Sequence, residues 1–518
     1  MAPEGVLNPA GTDGPAHGAG TDEHGSGLLV LTPLRVEAAM AGSAGARVVR
    51  TGAGPERAAA AARRATAERA GAVAVLGVGG ALVPGLAAGD LVVAEAVDGP
   101  EGRFEPASPR LLVAALRRAG LTASAGVVHS AASVVTGDGR GRAAAHGAVV
   151  ADTESYWLAA ASAGRPFAVV RSVVDGPGRE LRRPGVVADG VRALASLRRA
   201  MPVLGAWAEA CRPRTVLLAG PRSFCAGVDR AIEIVERALD RFGPPVYVRR
   251  QIVHNTHVVR RLEAEGAVFV HELDEVPDET TVVLSAHGVS PAVKDEAERR
   301  GLRVVDATCP LVAKVHTEAR RFARQGRQVV LIGHDGHDEV EGTLGEVPGT
   351  VLVGSVEDVE ALDVPGAAPI GLLNQTTLAP SDVAEVADAV RRRFADVVEP
   401  SVSDICFATE NRQQAVEAVA GDVDLVLVVG SANSSNSQRL VEVAERAGTR
   451  AHLVEDPDAI ELDWLRRAGS VGLTAGASAP ERVVEEVVEA LCGLGPVDVH
   501  ERTVVDEHVR FQLPLEVR

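Results

Sequence analysis

Apolar, β-branched runs alternate with Ala-, Arg- and Glu-rich stretches along almost the whole chain, and this alternation constrains the fold more than any other feature. The runs include LLVLTP at Leu28–Pro33, VAVLGVGG at Val73–Gly80, FAVVRSVVD at Phe167–Asp175, TVLLAGP at Thr215–Pro221, VVLIGH at Val329–His334 and LVLVVGS at Leu425–Ser431. Short apolar runs separated by helical stretches read as buried, largely parallel strands of an α/β protein. Ligands then belong at the carboxyl ends of the strands, in the loops that lead into helices. At 518 residues the chain is too long for one hydrophobic core, so about two to four packed units are expected.

A break falls at Cys211–Arg214 (CRPR), after a helical stretch from Gly190 to Ala210 and before a fresh strand. The expected organisation is a disordered Gly/Ala/Asp/His-rich leader over 1–27, an α/β domain over 28–200 and a linker over 201–214. A larger module over 215–492 and a tail over 493–518 follow. The leader lacks the basic and apolar regions of a secretory signal. No run approaches the roughly 20 apolar residues of a membrane-spanning helix. A cytoplasmic protein without a membrane partner is the resulting expectation.

Charge narrows the partners. Lys and Arg number 53 against 70 Asp and Glu, a formal net charge of −17, and aromatics are only 3% of residues. Such a chain is poorly suited to wrapping a nucleic acid, yet local N–H groups and side chains can still hold a small phosphate.

Five cysteines, Cys211, Cys225, Cys309, Cys406 and Cys492, occur with no C-x-x-C among them. An odd number in a long chain argues against a disulfide framework, and the spacing argues against a zinc ribbon. Cys225 (LLAGPRSFCAGVDRAI), Cys309 (VVDATCPLVAKVH) and Cys406 (SDICFATENRQ) each follow a strand or loop and precede a helical run. Their even spacing suggests three α/β units, about 215–309, 310–406 and 407–492, each delivering one thiolate to a shared centre. Three thiolates suit a [4Fe–4S] cluster with one iron left open. Inert buried cysteines are the alternative that spacing alone leaves open.

The surrounding words decide between them. FCAGVDRAI, VHN (Val253–Asn255), SAHGVS (Ser285–Ser290), DATCPLVAKVH, GHDGHDEVEGT (Gly333–Thr343), NQTTL (Asn374–Leu378), GSANSSNSQRL (Gly430–Leu440) and TAGASAP (Thr474–Pro480) run in order along the module. In these words the C-terminal module resembles the 4-hydroxy-3-methylbut-2-enyl diphosphate (HMBPP) reductase family. The resemblance implies three similar α/β units around a central iron–sulfur cluster, in a trefoil arrangement. It further implies reduction of HMBPP to isopentenyl and dimethylallyl diphosphates, in the non-mevalonate isoprenoid pathway, with a ferredoxin or flavodoxin as electron donor.

Carried over residue by residue, the resemblance implies cluster ligands at Cys225, Cys309 and Cys406, and a carboxylic proton source at Glu339 with His337 beside it. Thr376 matches the hydroxyl that steers the substrate alcohol. His254, His287, His337, Ser434, Ser435, Asn436 and Ser478 match the diphosphate contacts. Asn374 and Asp338 depart from the common family pattern, and Asp338 is expected to perturb titration of the acid next to it. Cys211 and Cys492 match no cluster position.

The first module has its own words: LLVLTPLRVEA, TGAGPERAAAA (Thr51–Ala61), VLGVGGALVPGLAAGDLVV (Val75–Val93), VVADTESYWLA (Val149–Ala159) and PFAVVRSVVD (Pro166–Asp175). In these it resembles the nucleoside phosphorylase/nucleosidase superfamily. That resemblance implies a water-activating carboxylate at Glu37, a ribose-binding Glu154 and a base-protonating Asp175, the division of labour that N-glycosidic cleavage requires. Thr153 stands where that family has Met, and Pro33 interrupts the first motif. Two other readings remain: a noncatalytic first module that dimerises the chain or docks a redox partner, and a second module that is a Lewis-acid iron–sulfur dehydratase or synthase.

Overall fold

Each apolar run named above becomes a strand in the computed structural model, which describes residues 27–42, 45–178 and 185–518. The leader expected over 1–27 lies outside these residues except for Gly27. The first module has strands β1 (Leu28–Thr32), β2 (Arg47–Arg50), β3 (Ala72–Ala81), β4 (Leu91–Gly99), β5 (Gly102–Phe104), β6 (Ala123–Ser130), β7 (Ala148–Asp152) and β8 (Phe167–Asp175). Their order is β2-β1-β3-β7-β6-β4-β5, with β8 pairing both β3 and β4. Five strands, β3, β7, β6, β4 and β8, therefore close into a ring. The β3–β7, β4–β8 and β4–β5 pairs are antiparallel, so this sheet is mixed where the apolar runs suggested a largely parallel one. The β3–β8 register slips between Gly79 and Gly80, which sets Asp175 opposite Gly80. Glycine is required there, because a Cβ on Gly80 would lie 2.6 Å from the Asp175 carboxylate.

The second module contains three wholly parallel sheets. Strand β9 (Arg214–Gly220) is followed by β10 (Val246–Arg249), β11 (Ala267–Val270), β12 (Thr281–Leu284) and β13 (Arg303–Asp306), the last four ordered β11-β10-β12-β13. Next come β14 (Gln328–Ile332), β15 (Val351–Val353), β16 (Ile370–Asn374) and β17 (Val397–Val398), ordered β15-β14-β16-β17. Finally β18 (Leu425–Val429), β19 (Ala451–Val454), β20 (Ser470–Ala475) and β21 (Val497–Thr503) join β9 in the order β19-β18-β20-β9-β21.

The three sheets share one scheme, second-first-third-fourth, and the fourth strand of the last sheet is β9. The chain's entry into this module thus completes its last unit, and β9 does not belong with the 215–309 segment. Each cysteine follows a fourth strand: Cys225 after β9, Cys309 after β13, Cys406 after β17. The tail from 493 onward packs on the module: β21 adds an edge to β9, and Val517 is buried in the core of the first unit.

The expected linker is mostly helix. Helix Val186–Ala210 runs unbroken through Pro202 and buries Ala193, Leu197, Ala200, Leu204 and Trp207 at helical spacing. These side chains belong to a single apolar core that includes Leu76 and Leu91 of the first module and Leu427, Leu473 and Val487 of the second. Arg110 reinforces the contact by pairing with Asp458 at 2.7 Å and Glu486 at 3.1 Å. Among the described residues no helix is long and apolar enough to cross a membrane.

Candidate active site

In each unit of the second module the first and third strands are neighbours, so the loops that follow them emerge side by side. Arg249 of β10 pairs with Leu284 of β12, and the loops beyond carry His254 and His287. Ile332 of β14 pairs with Asn374 of β16; the segments beyond carry His337 and Glu339, at the start of helix Asp338–Glu346, and Thr376. Val429 of β18 pairs with Ala475 of β20; the segments beyond carry Ser434, Ser435 and Asn436, at the start of helix Ser435–Arg446, and Ser478. All these residues, with the three cysteines, line one cavity of about 110 Å³. The topology alone explains why residues from nine separate words meet.

Cys225, Cys309 and Cys406 occupy the N-cap positions of helices Ala226–Phe242, Pro310–Arg324 and Phe407–Ala420. Helix N-termini favour negative charge, as thiolate ligands require. Burial nevertheless pushes all three thiols up, Cys309 to about 11 and Cys406 to about 12; neighbouring sulfurs add to the rise at Cys309 and Cys406, while the charge of Arg412 opposes it at Cys225. Such thiols release their protons when a cationic centre joins them. Space is provided at Gly227, where a Cβ would lie 2.8 Å from the Cys309 sulfur and 3.8 Å from that of Cys225. Three converging sulfurs, a glycine-lined gap and no fourth protein thiol fit a [4Fe–4S] cluster with one iron left open. Cys211 and Cys492 do not line the cavity; the first is half-buried against the shared core and the second is exposed.

Glu339 is 2% exposed and faces Thr376. The Thr376 main-chain N–H donates to Oε1 at 2.7 Å and its hydroxyl donates to Oε2 at 3.0 Å. Burial raises the Glu339 carboxyl to about 7, against the lowering effect of those two bonds, and the charge of Asp404 adds to the rise. The expected disturbance from Asp338 is not found. Asp338 turns away to an ion pair with Arg250 and stands 3.9 Å from His287. His337 caps helix Asp338–Glu346, its Nδ1 accepting the Glu339 N–H at 3.2 Å. An accepting Nδ1 leaves the ring proton on Nε2.

The imidazoles cluster. His254 and His287 stack with centroids 4.1 Å apart, and His337 lies edge-on at 5.4 and 5.8 Å. Burial lowers all three, His337 to about 4 and His287 well below its ordinary value. Nε2 of His254 and Nδ1 of His287 are buried without a hydrogen-bond partner. Rings biased toward the neutral form, with unmet nitrogens, suit a site that awaits an anion. His254, His287 and Asp338 also offer ligand atoms within 4.8 Å of one another, although Arg250 already engages Asp338.

The third unit faces this cluster with the start of helix Ser435–Arg446. Ser434 is its N-cap, accepting the Ser437 N–H and lying 3.3 Å from the Ser478 hydroxyl. Ser478 in turn donates to the His254 carbonyl at 3.1 Å. Asn436 accepts the Ala477 N–H at 2.8 Å, and Ser435 meets Thr377 at 3.2 Å. Hydroxyls, an amide and free N–H groups at a helix start make an anion cradle.

Sequence reasoning missed the supports. Gln375 is buried and its amide bonds the His334 N–H and the Thr377 hydroxyl. Lys314 holds the approach to Cys406 through the carbonyls of Val402 and Ser403 and the Asp404 carboxylate. Arg412 is buried beside Cys225. Each lies in a quoted word, so polar residues inside otherwise recognised strings were the signal available.

The first module assembles its carboxylates around Arg171, which is 0% exposed. Arg171 pairs with Asp152 at 2.6 Å and approaches Glu154 at 3.7 Å. Glu37 accepts the Leu34 and Val78 N–H groups, each at 2.8 Å. Burial raises its carboxyl, with Arg171 opposing. A Cβ on Gly77 would collide with the Arg171 guanidinium and lie 3.0 Å from Glu37, so these two groups share one space. Glu154 accepts the Gly54 N–H at 3.0 Å. Asp175 is ion-paired with Arg140, a partner the sequence reading did not foresee.

A family model described as LytB protein matches residues 216–492, more than half of the chain. A curated relative, 4-hydroxy-3-methylbut-2-enyl diphosphate reductase 2 of Mycobacterium bovis, is 57% identical over 309 residues, covering 59% of this chain and 94% of the relative. The solved structure of the E-1-hydroxy-2-methyl-but-2-enyl-4-diphosphate reductase from Plasmodium falciparum aligns with a TM-score of 0.57 at 35% identity. It covers 59% of this chain and 97% of its own. A methylthioadenosine/S-adenosylhomocysteine nucleosidase structure from Colwellia psychrerythraea aligns over 34% of this chain at 19% identity, with a TM-score of 0.29.

Proposed function

We propose, from the premise that this chain belongs to the LytB protein family, that its second module reduces HMBPP to isopentenyl and dimethylallyl diphosphates. The observation that carries this reading is the single cavity shared by three N-capping cysteines, the Glu339–Thr376 pair and the anion cradle. The reaction takes two electrons and two protons, breaks the allylic C–O bond and releases water. Cys225, Cys309 and Cys406 would hold a [4Fe–4S] cluster, which would supply the electrons and a Lewis-acidic iron.

The chain's own residues do the rest. Thr376 orients the alcohol and passes its hydrogen bond to Glu339. Glu339, with its carboxyl raised to about 7, holds a proton near neutrality and gives it to the departing oxygen. His254, His287 and His337 on one side, and Ser434, Ser435, Asn436 and Ser478 on the other, hold the diphosphate. The low exposure of Glu339 and Thr376 keeps bulk water from the developing allylic species. A small one-electron protein such as a ferredoxin or flavodoxin is the donor in this reading.

The first module carries a second reading, an N-glycosidase. Glu37, buried, raised and next to Arg171, supports it as the water-activating base, with Glu154 as the sugar contact. Protonating a leaving base from Asp175 requires its pair with Arg140 to open, so the leaving-group side is the less prepared half of that site.

The test is anaerobic turnover of HMBPP by the reconstituted chain, with product analysis. Both five-carbon diphosphates are expected; recovery of unchanged HMBPP from protein with an intact cluster contradicts the proposal. Release of a free base from a 5′-thioadenosine nucleoside, lost in Glu37→Gln, tests the first module.

A further inference from the structure

Arg412 lies on the helix that Cys406 caps, yet its side chain leaves that helix for the Cys225 loop. It is 0% exposed. Its Nε and Nη2 donate to the Ser223 carbonyl at 3.1 and 2.8 Å, and Nη2 also reaches the Phe224 carbonyl at 3.3 Å. Nη1 donates to the Ala408 carbonyl at 2.9 Å and to the Glu507 carboxylate at 3.1 and 3.2 Å. Asn411 adds a bond to Glu507 at 2.9 Å. One planar guanidinium thus ties together the two residues before Cys225, the first turn after Cys406 and the segment beyond β21.

The backbone it grips is under strain. Ser223 has φ 61, in the left-handed region that residues with a Cβ seldom adopt. Its carbonyl takes two of the Arg412 bonds, and its hydroxyl bonds Glu481 at 2.5 Å. A buried guanidinium is expensive to desolvate, and a lysine in its place could not reach three carbonyls and a carboxylate at once. The positive charge also bears on Cys225, where it opposes the rise caused by burial.

We propose that Arg412 and Glu507 form a clasp that sets the separation of the Cys225 and Cys406 sulfurs and the electric field at Cys225. Arg412 is the positioning residue and the segment around Glu507 is an integral part of the cluster cradle. This rests on the cluster reading given above. Reduction adds negative charge to the centre, so a neighbouring cation favours the reduced state and a neighbouring anion opposes it.

The test uses the full chain, reconstituted anaerobically, as wild type, Arg412→Lys, Arg412→Gln and Glu507→Gln. Two quantities are read: the cluster midpoint potential by spectroscopic titration, and the rate of iron release to a ferrous chelator. Arg412→Gln should lower the potential and Glu507→Gln should raise it, whereas Arg412→Lys keeps the charge and stays near wild type. Iron release should quicken about 10-fold or more in both Arg412 variants, the scale of lost outer-shell support. Glu507→Gln preserves shape at a partly exposed position, so the potential arm survives even where an Arg412 variant fails to fold. Unshifted potentials with wild-type iron release, or shifts of one sign in both charge variants, overturn the clasp. A wild-type chain that takes up no cluster overturns the underlying reading as well.

Discussion

Thr376 gives Glu339 two hydrogen bonds, one from its main-chain N–H at 2.7 Å and one from its hydroxyl at 3.0 Å. Both follow from the pairing of β14 with β16, which brings the helix start after β14 and the loop after β16 out side by side. The carboxyl remains at about 7 because burial outweighs those bonds. Proton delivery should therefore fall as pH rises through about 7, and Glu339→Gln should abolish turnover with the cluster spectrum intact. A turnover rate flat from pH 6 to 8.5 would contradict this role.

The same shift has a consequence for stability. The folded carboxyl titrates higher than an unfolded glutamate, so the folded state binds the extra proton between about 4.5 and 7 and loses stability as pH rises through that window. Glu339→Gln removes the penalty. The variant should gain about 1–3 kcal/mol over wild type at pH 8 and little at pH 4.5, measured by denaturant unfolding of the apoprotein. Equal gains at both pH values would contradict the assignment.

Gly227 is the narrowest part of the cluster cradle. Gly227→Ala places a methyl 2.8 Å from the Cys309 sulfur on the first turn of a helix, where backbone geometry is not at issue. Iron and acid-labile sulfide per chain should fall well below wild type while circular dichroism is unchanged. Full cluster loading in this variant would show that the sulfurs sit farther apart when occupied.

How much of this was readable beforehand depended on what kind of signal each residue carries. The strands announced themselves through buried β-branched runs, and the three cysteines through their place before helical stretches. The scheme that brings them together was not local. β9 lies next to Cys225 in sequence but pairs with β20, some 250 residues on, and only the sheet register reveals it. The mixed ring of the first module escaped because β7 and β8 read like any buried strand, with nothing to mark their antiparallel partners. Asp338 looked like a neighbour of the acid by position, whereas the helix start at His337 sends its side chain to Arg250. Arg412, Lys314 and Gln375 serve carbonyls and loops, a role that leaves no periodic or compositional trace.

The imidazole cluster predicts proton uptake. Burial lowers His254 and His287 and puts His337 at about 4, so the cluster is biased toward its neutral form, and a bound diphosphate would raise all three. Calorimetry of inorganic pyrophosphate binding in two buffers of different ionisation enthalpy should show net uptake by the protein. The uptake should shrink in His337→Phe, with affinity weakened about 10-fold. Identical heats in both buffers would remove the histidines from the phosphate site.

In the first module Glu37→Gln should abolish base release from a thioadenosine nucleoside and leave HMBPP reduction unaltered. Among the described residues none of the first module lines the reductase cavity, and the shared core meets the second module at the third sheet and the helices packed on it. A chain that releases no base from any such nucleoside, wild type included, would leave the first module as a scaffold.

The central claim is that these three cysteines and Glu339 serve one reduction. The most direct measurement follows reduced methyl viologen anaerobically as HMBPP is added to the reconstituted chain. The account predicts dye oxidation at two electrons per HMBPP consumed, absent in Cys309→Ser and in Glu339→Gln. A fully loaded cluster that binds HMBPP and leaves the dye reduced would contradict it.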